Sequence, residues 1–198
     1  MPTPVPIRFA AALLLGSLLA TSLPAEAPES TEIKLPSAAD DSCVGGAGKY
    51  LILHLPKVRQ LAIVDLAAAK VAKYLPVAAD SVRFAAGKDK LVVVYPEQGT
   101  IARYDLATFA KEVTAKLPLE GTVSQVQLGA ASAGPVLLVG GKGERFGNSV
   151  TFLDLDKLKA VEFDKDENGR GIFDRGHFRA SPDGTLYGSW STAGSPSG

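Results

Sequence analysis

The stretch Leu61-Ala62-Ile63-Val64-Asp65-Leu66 returns 40 residues later as Ile101-Ala102-Arg103-Tyr104-Asp105-Leu106, an apolar run closed each time by Asp-Leu. A second landmark keeps the same spacing, since Tyr50-Leu51-Ile52-Leu53 lies 40 residues before Lys90-Leu91-Val92-Val93. Two landmarks at one period define an internal repeat. A third copy, lengthened by insertion, runs through Val136-Leu137-Leu138-Val139 to Val150-Thr151-Phe152-Leu153-Asp154-Leu155, and its Asp-Leu falls 49 residues after the second. A fourth opens with His177-Phe178-Arg179, turns through Ser181-Pro182-Asp183-Gly184 and continues into Leu186-Tyr187-Gly188-Ser189-Trp190.

Each copy is punctuated alike. A first strand (Cys43-Val44, Val82-Arg83-Phe84, Val126-Gln127-Leu128, Phe178-Arg179) runs into small residues: Gly45-Gly46, Ala85-Ala86-Gly87, Gly129-Ala130-Ala131, Ala180-Ser181. Small residues at the same point of every copy mark a crowded place. A second strand rich in Leu and Val follows, then a loop with Pro or Gly, then a third strand ending in Asp-Leu. A fourth strand (Val71-Ala72-Lys73-Tyr74-Leu75, Glu112-Val113-Thr114-Ala115-Lys116-Leu117, Ala160-Val161-Glu162-Phe163) alternates apolar and polar residues, as a strand with one wet face does. Four short strands every 40 to 49 residues predict an all-β chain, a partial β-propeller of four-stranded antiparallel blades with three complete blades and the start of a fourth. Blades are expected at about 43–76, 82–118, 126–163 and 177–198. The competing reading puts helices after Asp65 and Asp105, where DLAAAKVAKYL has Ala-rich propensity and an Asp at the N-cap position. Against it, Phe109, Val113, Ala115 and Leu117 drift to a period of two.

Phe178-Arg179-Ala180-Ser181-Pro182-Asp183-Gly184-Thr185-Leu186-Tyr187 resembles WD40-type and related bacterial propeller repeats, although the Gly-His and Trp-Asp pairs of WD40 blades are absent apart from Gly176-His177. Ile63-Val64-Asp65-Leu66-Ala67-Ala68-Ala69-Lys70-Val71 looks like a blade of YVTN-type propellers. The segment 45–112 also resembles uncharacterised secreted propeller proteins of planctomycete-type bacteria. The resemblance covers residues 43–198 and implies a fold without a reaction, because binding scaffolds and enzymes share these repeats. Closed propellers take four to eight blades, so a longer protein, or a ring completed by two or more chains, is expected.

Ahead of the repeats stands a different composition. One cation, Arg8, precedes the apolar residues 9–20 (FAAALLLGSLLA), and Ala25-Glu26-Ala27 follows. That order is a secretory signal peptide, expected over 1–27 with a mature N-terminus at Pro28. Twelve apolar residues rise only ~18 Å as a helix against a ~30 Å hydrocarbon core. An uncleaved anchor over 9–23 is the other reading, and intact Met1 in the mass of exported protein would decide for it. Residues 28–42 (PESTEIKLPSAADDS) read as an extended linker. The protein is therefore expected to be secreted or periplasmic, with no membrane attachment after cleavage. With 21 Lys+Arg against 21 Asp+Glu in 198 residues the formal charge is zero, so no basic footprint points to nucleic acid. A single Cys excludes an intramolecular disulfide.

The strongest chemical cluster is Asp164-Lys165-Asp166-Glu167-Asn168-Gly169, followed by Asp174. Its D-x-D-x-N-G start resembles a calcium loop, with Asp164, Asp166, Asn168 and Asp174 as candidate ligands. It departs from an EF-hand at the twelfth position, Arg175, and from integrin-like loops at the ninth, Ile172. A solvated turn is the plainer reading. Calcium that raises the melting temperature of the wild type but not of Asp166→Ala decides between them. No other cofactor is expected. His54 and His177 are the only histidines; each reads as structural, and for His177, beside Arg175 and Arg179, a surface strand is the plainer reading and a central channel that meets an anionic ligand the other. Cys43 reads as a small buried apolar residue. Gly140-Gly141-Lys142-Gly143-Glu144 lacks the Lys-Ser/Thr ending of a phosphate loop and reads as a hairpin loop. Ser191 and Ser195 have no nucleophile-elbow context. The resulting expectation is a noncatalytic exported scaffold presenting its loops to a protein or small ligand. The alternative is a secreted propeller enzyme, a lactonase-like hydrolase or quinone-dependent dehydrogenase.

Overall fold

A computed structural model of the chain describes residues 30–119, 121–141, 149–162 and 177–190. The chain divides into two compact units, Met1–Thr31 and Glu32–Gly198. Of the first, only residues 30 and 31 are described, both exposed and without regular structure. The expected signal peptide therefore lies outside the described residues, as do Asp164, Asp166, Asn168 and Asp174 of the candidate calcium loop, residues 142–144 of the glycine-rich hairpin, Ser191 and Ser195. No helix among the described residues is long and apolar enough to cross a membrane.

The second unit is all-β. Strands β1 (Asp41–Gly45), β2 (Tyr50–Leu55), β3 (Gln60–Asp65) and β4 (Lys70–Pro76) form one antiparallel sheet in sequence order. The second sheet repeats it with β5 (Arg83–Ala86), β6 (Lys90–Tyr95), β7 (Thr100–Asp105) and β8 (Lys111–Lys116). A third contains β9 (Thr122–Gln127), β10 (Val136–Gly141), β11 (Ser149–Leu153) and β12 (Ala160–Val161). Strands β13 (His177–Ala180) and β14 (Tyr187–Trp190) pair as a two-stranded sheet. The 40-residue period is kept in the hydrogen-bond ladder: Tyr50 faces Asp65 as Lys90 faces Asp105, and both outer hairpins carry a bulge, after Ile63 and after Arg103.

Apolar alternation shows how the sheets stack. Leu91, Val93 and Tyr95 of β6 enter a core with Tyr50, Ile52 and Ile63 of the first sheet. Their neighbours Val92 and Val94 enter a second core with Val136 and Leu138 of the third. Strand β10 divides likewise, since Leu137 and Val139 join Phe178 of β13. A strand buried on both faces has no polar side to show, which is why LVVVY and VLLV read as unbroken apolar runs. Sheets stacked face to face in chain order, with β1, β5, β9 and β13 neighbouring one another along one edge, are blades of a propeller. The outer strands β4 and β8 are largely exposed, β8 even at Val113.

Helices after Asp65 and Asp105 do not form. Each Asp instead caps a turn. Asp65 Oδ1 accepts the Ala68 N–H at 2.9 Å, Asp105 Oδ1 those of Ala107 and Thr108 at 3.0 and 2.9 Å, and Asp154 Oδ1 those of Asp156 and Lys157 at 2.9 and 2.7 Å. This Asx capping ties the backbone into a hairpin. Four residues beyond each Asp the chain takes a left-handed conformation, at Ala69 (φ 47), Phe109 (φ 58) and Leu158 (φ 50). A non-glycine residue there costs roughly 1–2 kcal/mol, while glycine loses about 0.5–1 kcal/mol more backbone entropy on folding. Ala69→Gly is therefore expected to stabilise the protein by about 0.5 kcal/mol, read as a higher urea midpoint. Phe109→Gly should do the reverse, because that ring packs edge-on against Tyr50 at 5.7 Å.

The strands extend beyond the apolar residues that announced them. β1 starts at Asp41, inside the linker expected over 28–42, and β9 starts at Thr122 rather than Val126. Ala85 and Ala86 belong to β5 itself. Pairing with the second strand sets these limits, and polar residues pair as well as apolar ones.

An ion-pair network links the second and third blades. Lys90 Nζ reaches Asp105 at 3.0 Å and Glu112 at 2.5 Å, and Arg103 Nε donates to Glu112 at 2.6 Å. Arg103 Nη1 also donates to the Leu155 and Asp156 carbonyls at 2.8 and 2.5 Å, across the seam. Lys90, then the Thr108 hydrogen bonds, hold the Asp105 carboxyl down at about 2, against an ordinary 3.8. A carboxyl depressed by folding adds stability above its unfolded value, and that stability is lost as pH falls through the folded one. The melting temperature should accordingly drop between pH 4 and pH 2, and more shallowly in Asp105→Asn.

Candidate functional site

The inner strands are aligned by the small residues that follow them. Asp41, Arg83, Gln125 and His177 each stand four positions before Gly45, Gly87, Gly129 and Ser181. Each pairs with the equivalent residue of its second strand: His54, Val94, Val139 and Trp190. They therefore occupy one position of the repeat on four successive blades. Two residues further on, Cys43, Ala85, Gln127 and Arg179 form a second such set. All eight line one cavity of about 520 Å³ that runs along β1, β5, β9 and β13.

The small residues allow the blades to approach closely enough to form it. Gly46 N–H donates to the Gly87 carbonyl at 2.8 Å, Ala47 N–H to Ala130 at 2.8 Å, Lys88 N–H to Ser132 at 2.8 Å and Ala131 N–H to Pro182 at 2.7 Å. Backbone meets backbone at every seam, as the crowding in the sequence implies.

Arg83 is held across the first of two seams around β9. Its Nε donates to the Ser124 carbonyl and its Nη1 to that of Val82, both at 3.0 Å, which leaves Nη2 without a protein partner among the described residues. On the other side of β9, the Phe178 N–H donates to Gln125 Oε1 at 3.0 Å and fixes β13. Arg179, exposed, touches only the Phe178 carbonyl, at 3.4 Å among the described residues. His177 stacks on Trp190 with ring centroids 5.6 Å apart. Asp41 Oδ1 accepts the Ser42 N–H at 2.7 Å. Burial above all, then the Asp41 charge, pushes the Cys43 thiol up to about 12, so it stays protonated and unreactive near neutral pH.

The two histidines have different surroundings. His54 is 2% exposed, and its Nδ1 lies 2.7 Å from Asp40 Oδ1. Its Nε2 is sealed in the interior with no partner among the described residues, and the Phe84 ring lies 6.2 Å from that of His54. An acid–base group must reach its substrate, and this one does not. His177 does face the cavity. The Asp40–His54 pair has no signature in residue type, because Asp40 sits in a segment that reads as linker. Among the described residues no three His, Cys, Asp or Glu side chains gather as a metal centre would require.

No protein-family model and no curated protein matches this sequence. Among solved structures, the chain is similar to the dihydro-heme d1 dehydrogenase NirN in complex with DHE, at 15% identity and a TM-score of 0.49, over 78% of this chain and 33% of that one. It is similar to Kuenenia stuttgartiensis hydrazine synthase at 15% identity and a TM-score of 0.47, over 61% and 35%. Apo AztD from Citrobacter koseri gives 20% identity and a TM-score of 0.43, over 50% and 28%. The chain thus spans 28% to 35% of the length of these proteins. The three seams and the repeated hairpins carry the class assignment: this is a partial β-propeller.

Proposed function

We propose that the chain is an exported, noncatalytic propeller scaffold that binds a ligand or protein along its inner strands. One observation carries the reading. Positions that build the repeat hold the same residue in successive blades, Asp65, Asp105 and Asp154 at the turns and Gly45, Gly87 and Gly129 at the seams. The equivalent positions along the cavity hold Asp41, Arg83, Gln125 and His177, four different side chains. Fold requirements repeat with the fold, whereas a face that recognises something asymmetric need not. The sealed Nε2 of His54 favours binding over catalysis. Export rests on the leader over 1–27, and the likeness to secreted planctomycete-type propellers agrees with it.

Export is checked by the mass of the protein recovered from the culture medium or periplasm, expected to begin at Pro28. Binding is checked by amide shifts of β5, β9 and β13 on addition of candidate ligands to the full chain. Turnover of a lactone, or ligand-dependent reduction of a quinone analogue, that disappears in His177→Ala would overturn the noncatalytic reading.

A further inference from the structure

We propose that the cavity along the inner strands takes a small ligand through a carboxylate or phosphate group, gripped between Arg83 and Arg179. This rests on the binding reading above and adds the chemistry of the ligand. Among the described residues of the lining, Asp41 is the only acid, against Arg83, Arg179 and the ionisable His177. The acid and the cations are also segregated. Asp41 stands on β1, at one end of the row of inner strands, whereas the arginines come from β5 and β13, the two neighbours of β9. The middle strand of the positive region carries only uncharged lining residues, among them Ser124, Gln125 and Gln127.

Arg83 is preoriented. Two of its nitrogens are spent on the Ser124 and Val82 carbonyls, so the guanidinium plane is fixed before any ligand arrives and Nη2 stays available. A fixed guanidinium presents its donors to an oxyanion with little further loss of side-chain entropy. Arg179 supplies the second charge from the opposite side, with a single weak tie, to its own strand, among the described residues. Concave low-dielectric walls concentrate the field of both. A cavity of about 520 Å³ suits a metabolite-sized molecule better than a bare ion.

The test uses the full chain, with citrate and inorganic phosphate as separate calorimetric probes. Amide shifts locate the binding. Citrate is expected to bind and to move amides of β5, β9 and β13. Arg179→Gln, which gives up only a 3.4 Å contact, should weaken citrate about tenfold with an unchanged melting temperature. Arg83→Lys keeps the charge but not the fork and should weaken it as well. Lys49→Gln, a surface cation, should have no effect. Tighter binding of citrate than of phosphate identifies carboxylate as the group, and the reverse identifies phosphate. Equal affinity in wild type and Arg179→Gln, or anion-induced shifts confined to residues away from these strands, overturns the proposal. If neutral compounds move the inner-strand amides and neither anion does, the binding reading stands and the anion assignment falls. If nothing moves them, both fall.

Discussion

Gly129→Ala is expected to destabilise the protein by about 3 kcal/mol, the upper end of the usual cost of forcing one extra methyl into a packed interior. A Cβ at this position would overlap the Ser181 carbonyl oxygen and lie 2.6 Å from that of Pro182 and 2.7 Å from the Gly184 nitrogen. All three are backbone atoms of the turn after β13, so no side chain can swing aside to make room. The turn is held in place as well: Ala131 N–H donates to Pro182, Ser181 N–H to Leu186 and Gly184 N–H to Ser181. Relief therefore requires the third and fourth blades to part, which opens the core containing Phe178. A loss of about 3 kcal/mol in a chain of this size corresponds to a fall of roughly 6–12 °C in melting temperature. Gly188→Ala is the control. Its Cβ would meet nothing within 4 Å, so β14 should accept it without loss. If both substitutions have the same effect, the seam is looser than the geometry implies.

The seam glycines were legible because crowding leaves a residue-level trace: only small side chains fit, and the repeat displays them at one position of every copy. The Asp-Leu landmark was legible for a related reason, a hydrogen-bonding carboxylate being needed wherever the outer hairpin turns. What it does there was ambiguous, since Asp caps helices and turns by the same chemistry, and the alternation after Phe109 had to decide between them. The row of Asp41, Arg83, Gln125 and His177 was not legible in the sequence. Polar residues ahead of a short apolar run look like loop, and their equivalence appears only when the ladder shows what each one pairs with. The cations around His177 hint at an anion site in the sequence, whereas nothing around Arg83 does. The Arg103 bridge to the Leu155 carbonyl was likewise invisible, because a backbone acceptor on another blade has no signature in residue type.

Phe178→Ala is expected to cost about 3–5 kcal/mol and to unfold the chain unevenly. The side chain is fully buried in an inter-blade core that contains, among the described residues, Leu137, Val139 and Phe152, and Tyr187 packs at its margin. Tyr187 stands edge-on to Phe152 at 5.1 Å and donates its hydroxyl to the Pro135 carbonyl at 2.6 Å, so the removed ring lies beneath an organised lid rather than a fluid surface. Such a site collapses poorly, which places the cost toward the upper end of the range. Among the described residues, the other two cores share none with this one. In a molecule of repeating units, stability is close to a sum of unit and neighbour terms, so damage at one seam need not spread to the next. Hydrogen exchange of Phe178→Ala should show β13 and β14 losing protection while β2, β3, β6 and β7 keep theirs. Arg179 goes with β13, so citrate binding should weaken in step with the loss of protection there. Uniform loss of protection across all strands would show instead that the blades fold as one cooperative block.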